Sequence, residues 1–140
     1  MRVFFDSSAF AKRYVREAGT DAVLAWCDRA TEICLSAIAL PEIISALCRL
    51  QREGKLTSLQ YRQSKSLLLA DVEDIAISDV TAVVIQHAFN CLENNVLRGM
   101  DAIHIASALA LQADVFVSAD VAQCKAAANA GLTVDTLRAD

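Results

Sequence analysis

The sequence predicts an α/β fold: a three-layer α/β/α sandwich around a mostly parallel central sheet of four to five strands. Three observations lead there. Five short apolar runs recur along the chain, none alternating strictly with polar residues, as strands buried on both faces require. Helical patterns fill the intervals, and strand–helix repetition calls for parallel pairing with helices as crossovers. The 140 residues are 55% hydrophobic and 21% charged, with one Pro and four Gly. That excludes a disordered, collagenous or low-complexity chain and suits a single domain over 1–140.

In chain order, the first strand covers 3–5 (V-F-F) and a helix follows over 7–16. A second helix spans 20–29, then a strand 33–35. The helix over 39–52 carries Pro41 in its first turn, where a missing N–H costs nothing, and stops before Gly54. Thr57 is the expected N-cap of a helix over 57–72. A strand over 75–77 leads to a helix over 79–95, with Val80, Val83, Val84, His87, Ala88 and Cys91 on one face. A helix over 100–112 aligns Ile103, Ala106, Leu109 and Ala110. The strand over 115–117 is followed by an Ala-rich helix over 120–130, ended by Gly131, and a last strand over 133–137. Internal repeats and linkers are not evident.

Charge and cysteine content narrow the function classes. Thirteen basic against seventeen acidic residues leave a net charge of −4, which disfavours a broad basic nucleic-acid surface but allows a local basic patch. The longest uncharged run, 80–92, is thirteen residues, short of the ~20 a membrane span needs. The apolar run before Asp6 is only three residues, 3–5, so a signal-peptide core is not expected. The five Cys stand apart with no C-x-x-C pair. They suit reduced thiols in a cytoplasm and argue against zinc.

In open parallel sheets, ligands bind beyond the carboxyl ends of the strands, so acids at that edge matter most. Asp6 directly follows the first strand, and Asp120 follows the strand over 115–117. Glu42 and Asp101 lie in the first turns of helices that also open toward that edge. Four carboxylates from distant segments are thus expected to converge. Such groups repel unless protonated or bridged by cations, and Mg²⁺ or Mn²⁺ is the natural bridge for oxygen donors. Two ions ~3.5–4 Å apart can stabilise the attacking and leaving oxygens of a phosphoryl displacement.

Simpler roles compete. A first-turn acid favours its helix by ~0.3–1 kcal/mol, and capping explains Glu42, Asp101 and Asp120 one by one. Asp6 fits a cap less well, emerging as it does from an apolar strand. Ser7 is the expected cap of the first helix. Ser8 is a candidate partner of a substrate phosphate or a metal-bound water, and Ser118 either orients a carboxylate or simply ends a strand. Lys12, Arg13 and Arg49 are candidate phosphate contacts, or else solvated surface charges. His104 and His87 are expected to be packed core residues.

D-S-S-A-F-A-K-R-Y-V-R-E at 6–17 resembles the opening motif of the PIN-domain family, in its VapC toxin branch. L-S-A-I-A-L-P-E-I-I-S-A-L-C-R-L at 35–50 is similar to the second, R-G-M-D-A-I-H-I-A-S-A-L at 98–109 to the third, and V-F-V-S-A-D at 115–120 to the fourth. The resemblance implies a metal-dependent endoribonuclease with a PIN-like α/β/α sandwich. It implies that Asp6, Asp101 and Asp120 hold Mg²⁺ or Mn²⁺, with Glu42 acting in the same site, and products that carry a 5′-phosphate and a 3′-hydroxyl. It also implies an RNA substrate, a homodimer, and a small cognate antitoxin that silences the toxin of a type II pair. After the last acid the chain reads D-V-A-Q-C-K, so Lys125 is the first positive charge where relatives have basic residues directly.

The alternatives are a non-catalytic PIN-fold protein that uses the acidic cleft for a partner, and an aspartyl phosphatase with Asp6 as nucleophile. Ser8 stands where such a phosphatase needs its second Asp. The four Gly form neither G-x-G-x-x-G nor a P-loop.

Overall fold

The computed structural model describes residues 1–138; the last two positions of the expected domain, 139 and 140, lie outside the described residues. Five strands form the sheet: β1 (Arg2–Phe5), β2 (Glu32–Ser36), β3 (Ala76–Ser78), β4 (Val115–Ser118) and β5 (Val134–Thr136). Their order across the sheet is β3-β2-β1-β4-β5, and every pairing is parallel. Seven helices connect them: α1 (Ser7–Ala11), α2 (Thr20–Arg29), α3 (Ala39–Arg52), α4 (Ser58–Val72), α5 (Ala82–Asn94), α6 (Gly99–Ala110) and α7 (Val121–Asn129).

Strand periodicity builds the three layers. Val3, Phe5, Val115 and Val117 face one core with Phe10, Ile43, Leu47 and Leu68, contributed by α1, α3 and α4. Phe4, Cys34 and Phe116 face the opposite core with Val84, Ala88, Ile105 and Ala127, contributed by α5, α6 and α7. Successive side chains on a strand point to opposite faces, so an unbroken apolar run feeds two cores at once. Phe4 and Phe116 are register partners, and their rings stack at 5.5 Å between centroids.

The helix boundaries show where local signals prevailed. Thr57 caps α4 with a full capping box, its hydroxyl accepting from the Gln60 N–H and the Gln60 side chain accepting from the Thr57 N–H. Thr81 caps α5, so that helix starts at Ala82, three residues later than its periodicity suggests. His87 on α5 is only half-buried and lines a surface hollow of about 320 Å³ with Asn90 and Asn129, so it is not a core residue. Among the described residues no helix is long and apolar enough to cross a membrane.

The largest departure is α1, expected over 7–16 but ending at Ala11. The N–H groups of Lys12, Arg13 and Tyr14 bond back to the carbonyls of Ala9, Phe10 and Ala11, which tightens the chain into 3₁₀-type turns. The adjacent side chains of Arg13 and Tyr14 then reach one carboxylate, Asp71, at 2.9 and 2.6 Å.

The strand order sets the position of the site. From β1 the chain steps outward to β2 and β3, then returns to the other side of β1 to make β4. The crevice between β1 and β4 is therefore a topological switch point, the usual ligand position in open α/β sheets.

Candidate active site

Asp6 leaves β1 into that crevice. It is 4% exposed. It is also the N-cap of α1, its Oδ1 accepting from the Ala9 N–H at 2.8 Å. That corrects two expectations: Asp6 does cap, and Ser7 does not. The exposed Ser8 hydroxyl lies 3.2 Å from Asp6 Oδ1. The Ser118 hydroxyl, fully buried at the end of β4, donates to Asp6 Oδ2 at 2.6 Å. The same oxygen of Ser118 accepts from the Asp120 N–H at 3.0 Å. Gln123 makes a second bridge, donating from Nε2 to Asp6 Oδ2 at 3.3 Å and from its backbone to Asp120 Oδ1 at 3.1 Å. Asp6 and Asp120 are thereby joined through two shared partners.

Ser7 carries the connection outward. Its hydroxyl donates to Glu42 Oε1 at 2.5 Å and lies 3.1 Å from His104 Nε2. His104 Nε2 is itself 2.7 Å from Glu42 Oε1. Asp101 precedes His104 by three residues, on the same face of α6, and accepts from Arg98 Nε at 3.2 Å. Arg49 stands beside Glu42, and the two share a surface hollow of about 370 Å³ with Pro41, Ser45 and Met100.

Burial pushes the Asp6 carboxyl above the ordinary carboxylate value, outweighing the hydrogen bonds from Ser118, Ala9 and Ser8 and the influence of His104. Glu42 moves the other way: the His104 hydrogen bond, with help from Ser7, holds it below its ordinary value against its partial burial.

The four acids do not form a ready-made metal cage. Among the described residues no three of His, Cys, Asp or Glu lie close enough together to hold an ion. Each carboxylate takes protein donors: Asp6 from Ser118 and Ala9, Glu42 from Ser7 and His104, Asp101 from Arg98, Asp120 from Gln123. The donor chemistry nonetheless fits a hard divalent ion. All four are carboxylates, and among the described residues no cation pairs with Asp6 or Asp120. Arg98, the partner of Asp101, is 84% exposed and easily displaced.

Residues 3–129 of this chain match the PIN domain. The chain belongs to the PIN-domain family. It is similar to Ribonuclease VapC45 of Mycobacterium tuberculosis strain CDC 1551 / Oshkosh and to Ribonuclease VapC49 of strain ATCC 25618 / H37Rv. Each is 35% identical over 113 residues, covering 78% of this chain and 76% of the relative. Its fold is similar to that of VapBC2 from Rickettsia felis, solved bound to a DNA fragment from its promoter. That match has a TM-score of 0.69 at 15% identity, over 99% of this chain and 100% of that one.

The basic residues of this PIN domain divide. Lys12 pairs with Glu17 at 3.1 Å. Arg13 pairs with the partly buried Asp71, which holds the guanidinium above its ordinary pKa. Burial raises Asp71, but the hydrogen bonds from Arg13 and Tyr14 outweigh it and hold the carboxyl below its ordinary value. Arg13 thus has a structural partner in place of a free position for phosphate. Arg13→Ala is expected to lower stability by about 1–3 kcal/mol through loss of a charged hydrogen bond, read from a urea melt; an unchanged midpoint would assign that region's order to Tyr14.

Ser7, His104 and Gln123 are the members of the constellation that motif reading missed. His104 is a core residue as expected, 3% exposed in a T-shaped pair with Phe4, but it also reaches Glu42. The one available signal was its position, one turn past Asp101 on a helix that opens at the acidic edge.

Proposed function

We propose that this PIN-domain protein is a divalent-metal-dependent endoribonuclease and the toxin of a type II toxin–antitoxin pair. The observation that carries this is the coupling of Asp6 to Asp120 through Ser118 and Gln123 at the switch point. The support beside it is 35% identity to proteins named ribonucleases over most of the chain.

Asp6, Asp101, Asp120 and Glu42 are the proposed metal ligands and catalytic residues. A bound Mg²⁺ or Mn²⁺ supplies positive charge where negative charge gathers on the phosphodiester during in-line displacement. The chain's own residues do the rest. Ser118 and Gln123 fix the orientation of Asp6 and Asp120, Ser8 stands at the exposed side of Asp6, and Arg49 offers a cation to the RNA backbone beside Glu42. The proposed partners are RNA, a cognate antitoxin presenting a cationic side chain to the acids, and a second copy of the chain. Exposed apolar residues on α4 and α5, among them Leu67, Val83 and Phe89, support a dimer. The free cysteines suit a cytoplasmic location.

The test is cleavage of total cellular RNA by the purified protein with Mn²⁺, with Mg²⁺ and with EDTA. Discrete products are expected with either ion, none with EDTA, and none from a folded Asp101→Asn variant. A folded wild-type protein that cuts nothing would leave partner binding as the use of the cleft. A cleaving Asp101→Asn protein would remove Asp101 from the site.

A further inference from the structure

We infer that His104, acting with Ser7, is a positioning residue that clamps one oxygen of Glu42 and leaves the other to work; the inference rests on the nuclease reading. Glu42 Oε1 receives both contacts, from the Ser7 hydroxyl and from His104 Nε2. Glu42 Oε2 takes no protein hydrogen bond among the described residues. A carboxylate only accepts, so Nε2 must carry the proton that it shares with Glu42. In a neutral imidazole the other nitrogen is then bare, and His104 Nδ1 is indeed buried with no hydrogen-bond partner among the described residues. The buried pocket and the carboxylate therefore select the same tautomer.

The clamp is rigid at both ends. The ring sits on α6 in a T-shaped pair with Phe4, centroids 6.4 Å apart, and Phe4 stacks on Phe116 in the sheet. Ser7 directly follows Asp6, whose carboxylate is fixed by Ser118 and by the start of α1. A carboxylate on a three-bond side chain otherwise samples many rotamers, and freezing them beforehand is what a supporting shell contributes. His104 would also fix the spacing between Glu42 and Asp101, since α6 carries both His104 and Asp101.

The experiment compares wild type with His104→Phe and His104→Gln. Phe keeps the ring on Phe4 and removes only the donor; Gln restores an N–H near the place of Nε2. In steady-state RNA cleavage, His104→Phe is expected to lower kcat about 10–100-fold, the range for loss of a residue that orients a ligand. KM and the melting temperature are expected to stay near wild type, and Gln is expected to recover part of kcat. Wild-type kcat in His104→Phe, or a Gln variant no better than Phe, would overturn the inference. Imidazole ¹⁵N spectra of the metal-free protein provide a reading that needs no turnover. The Nε2–H tautomer is expected, with the His104 signals shifted in both Ser7→Ala and Glu42→Gln. An Nδ1–H tautomer, or signals indifferent to both substitutions, would overturn the inference even if the protein cleaves no RNA. Absence of cleavage by the wild type would count against the nuclease reading alone.

Discussion

Asp6→Asn is expected to reduce RNA cleavage by about 10³-fold or more while the fold survives, since the charge stabilisation a metal supplies is several kcal/mol. The fold should survive because an amide keeps most of what the carboxylate does. Its oxygen can still accept from the Ala9 N–H and cap α1. The Ser118 hydroxyl can rotate to accept from the new NH₂ group. The charge is lost, and with it the long Gln123 contact to Oδ2, at a position where burial already raises the carboxyl above its ordinary value. That shift has a sign in stability. The native state keeps the Asp6 proton to higher pH than the unfolded chain does. Its contribution is therefore fully present below the unfolded value of about 3.9, and it is lost as pH rises through the higher native value. Without metal, the wild type should lose stability relative to Asp6→Asn as pH climbs from about 4. Parallel melting curves for the two proteins across that range would show that burial does not burden Asp6.

Saturating Mg²⁺ or Mn²⁺ should raise the melting temperature, and EDTA should reverse the gain. At 100-fold excess over Kd, binding to the native state contributes about 2.7 kcal/mol. That corresponds to about 8 °C for a domain of this size. The effect is expected because ion binding relieves the unpaired acids at one sheet edge, above all buried Asp6. It also requires movement, because no three candidate ligands lie within reach of one ion among the described residues. The exposed Arg98 must release Asp101, while Ser118 and Gln123 can remain on Asp6. Asp6→Asn should respond weakly. An unchanged melting temperature in millimolar Mn²⁺ would take the ion out of the proposal.

What the sequence revealed was what is local in the chain. V-F-F-D and V-F-V-S-A-D declare a strand buried on both sides and an acid at its end, so the sheet, its parallel pairing and the edge bearing Asp6 and Asp120 were legible. Thr57, with Gln60 three residues on, declared a helix start. What depends on a third party was not legible. The Ser7 hydroxyl turns to Glu42 instead of capping α1 because α3 brings Glu42 near it, 35 residues on. Beyond the early end of α1, Arg13 and Tyr14 meet Asp71, a partner 58 and 57 residues away that no local pattern announces. His104 looked like any apolar-helix histidine until the partner of its Nε2 was known.

Asp6 precedes the side chains that hold it, Ser118 and Gln123, by 112 and 117 residues. β1 lies at the centre of the sheet, yet one of its two neighbours, β4, emerges only after residue 114. On the ribosome, a growing chain therefore has its first acid long before it has the groups that orient it. A copy cut short by a premature stop before Ser118 would lack Ser118, Asp120 and Gln123 together. The site of the proposed nuclease would thus stay incomplete until translation has passed residue 123.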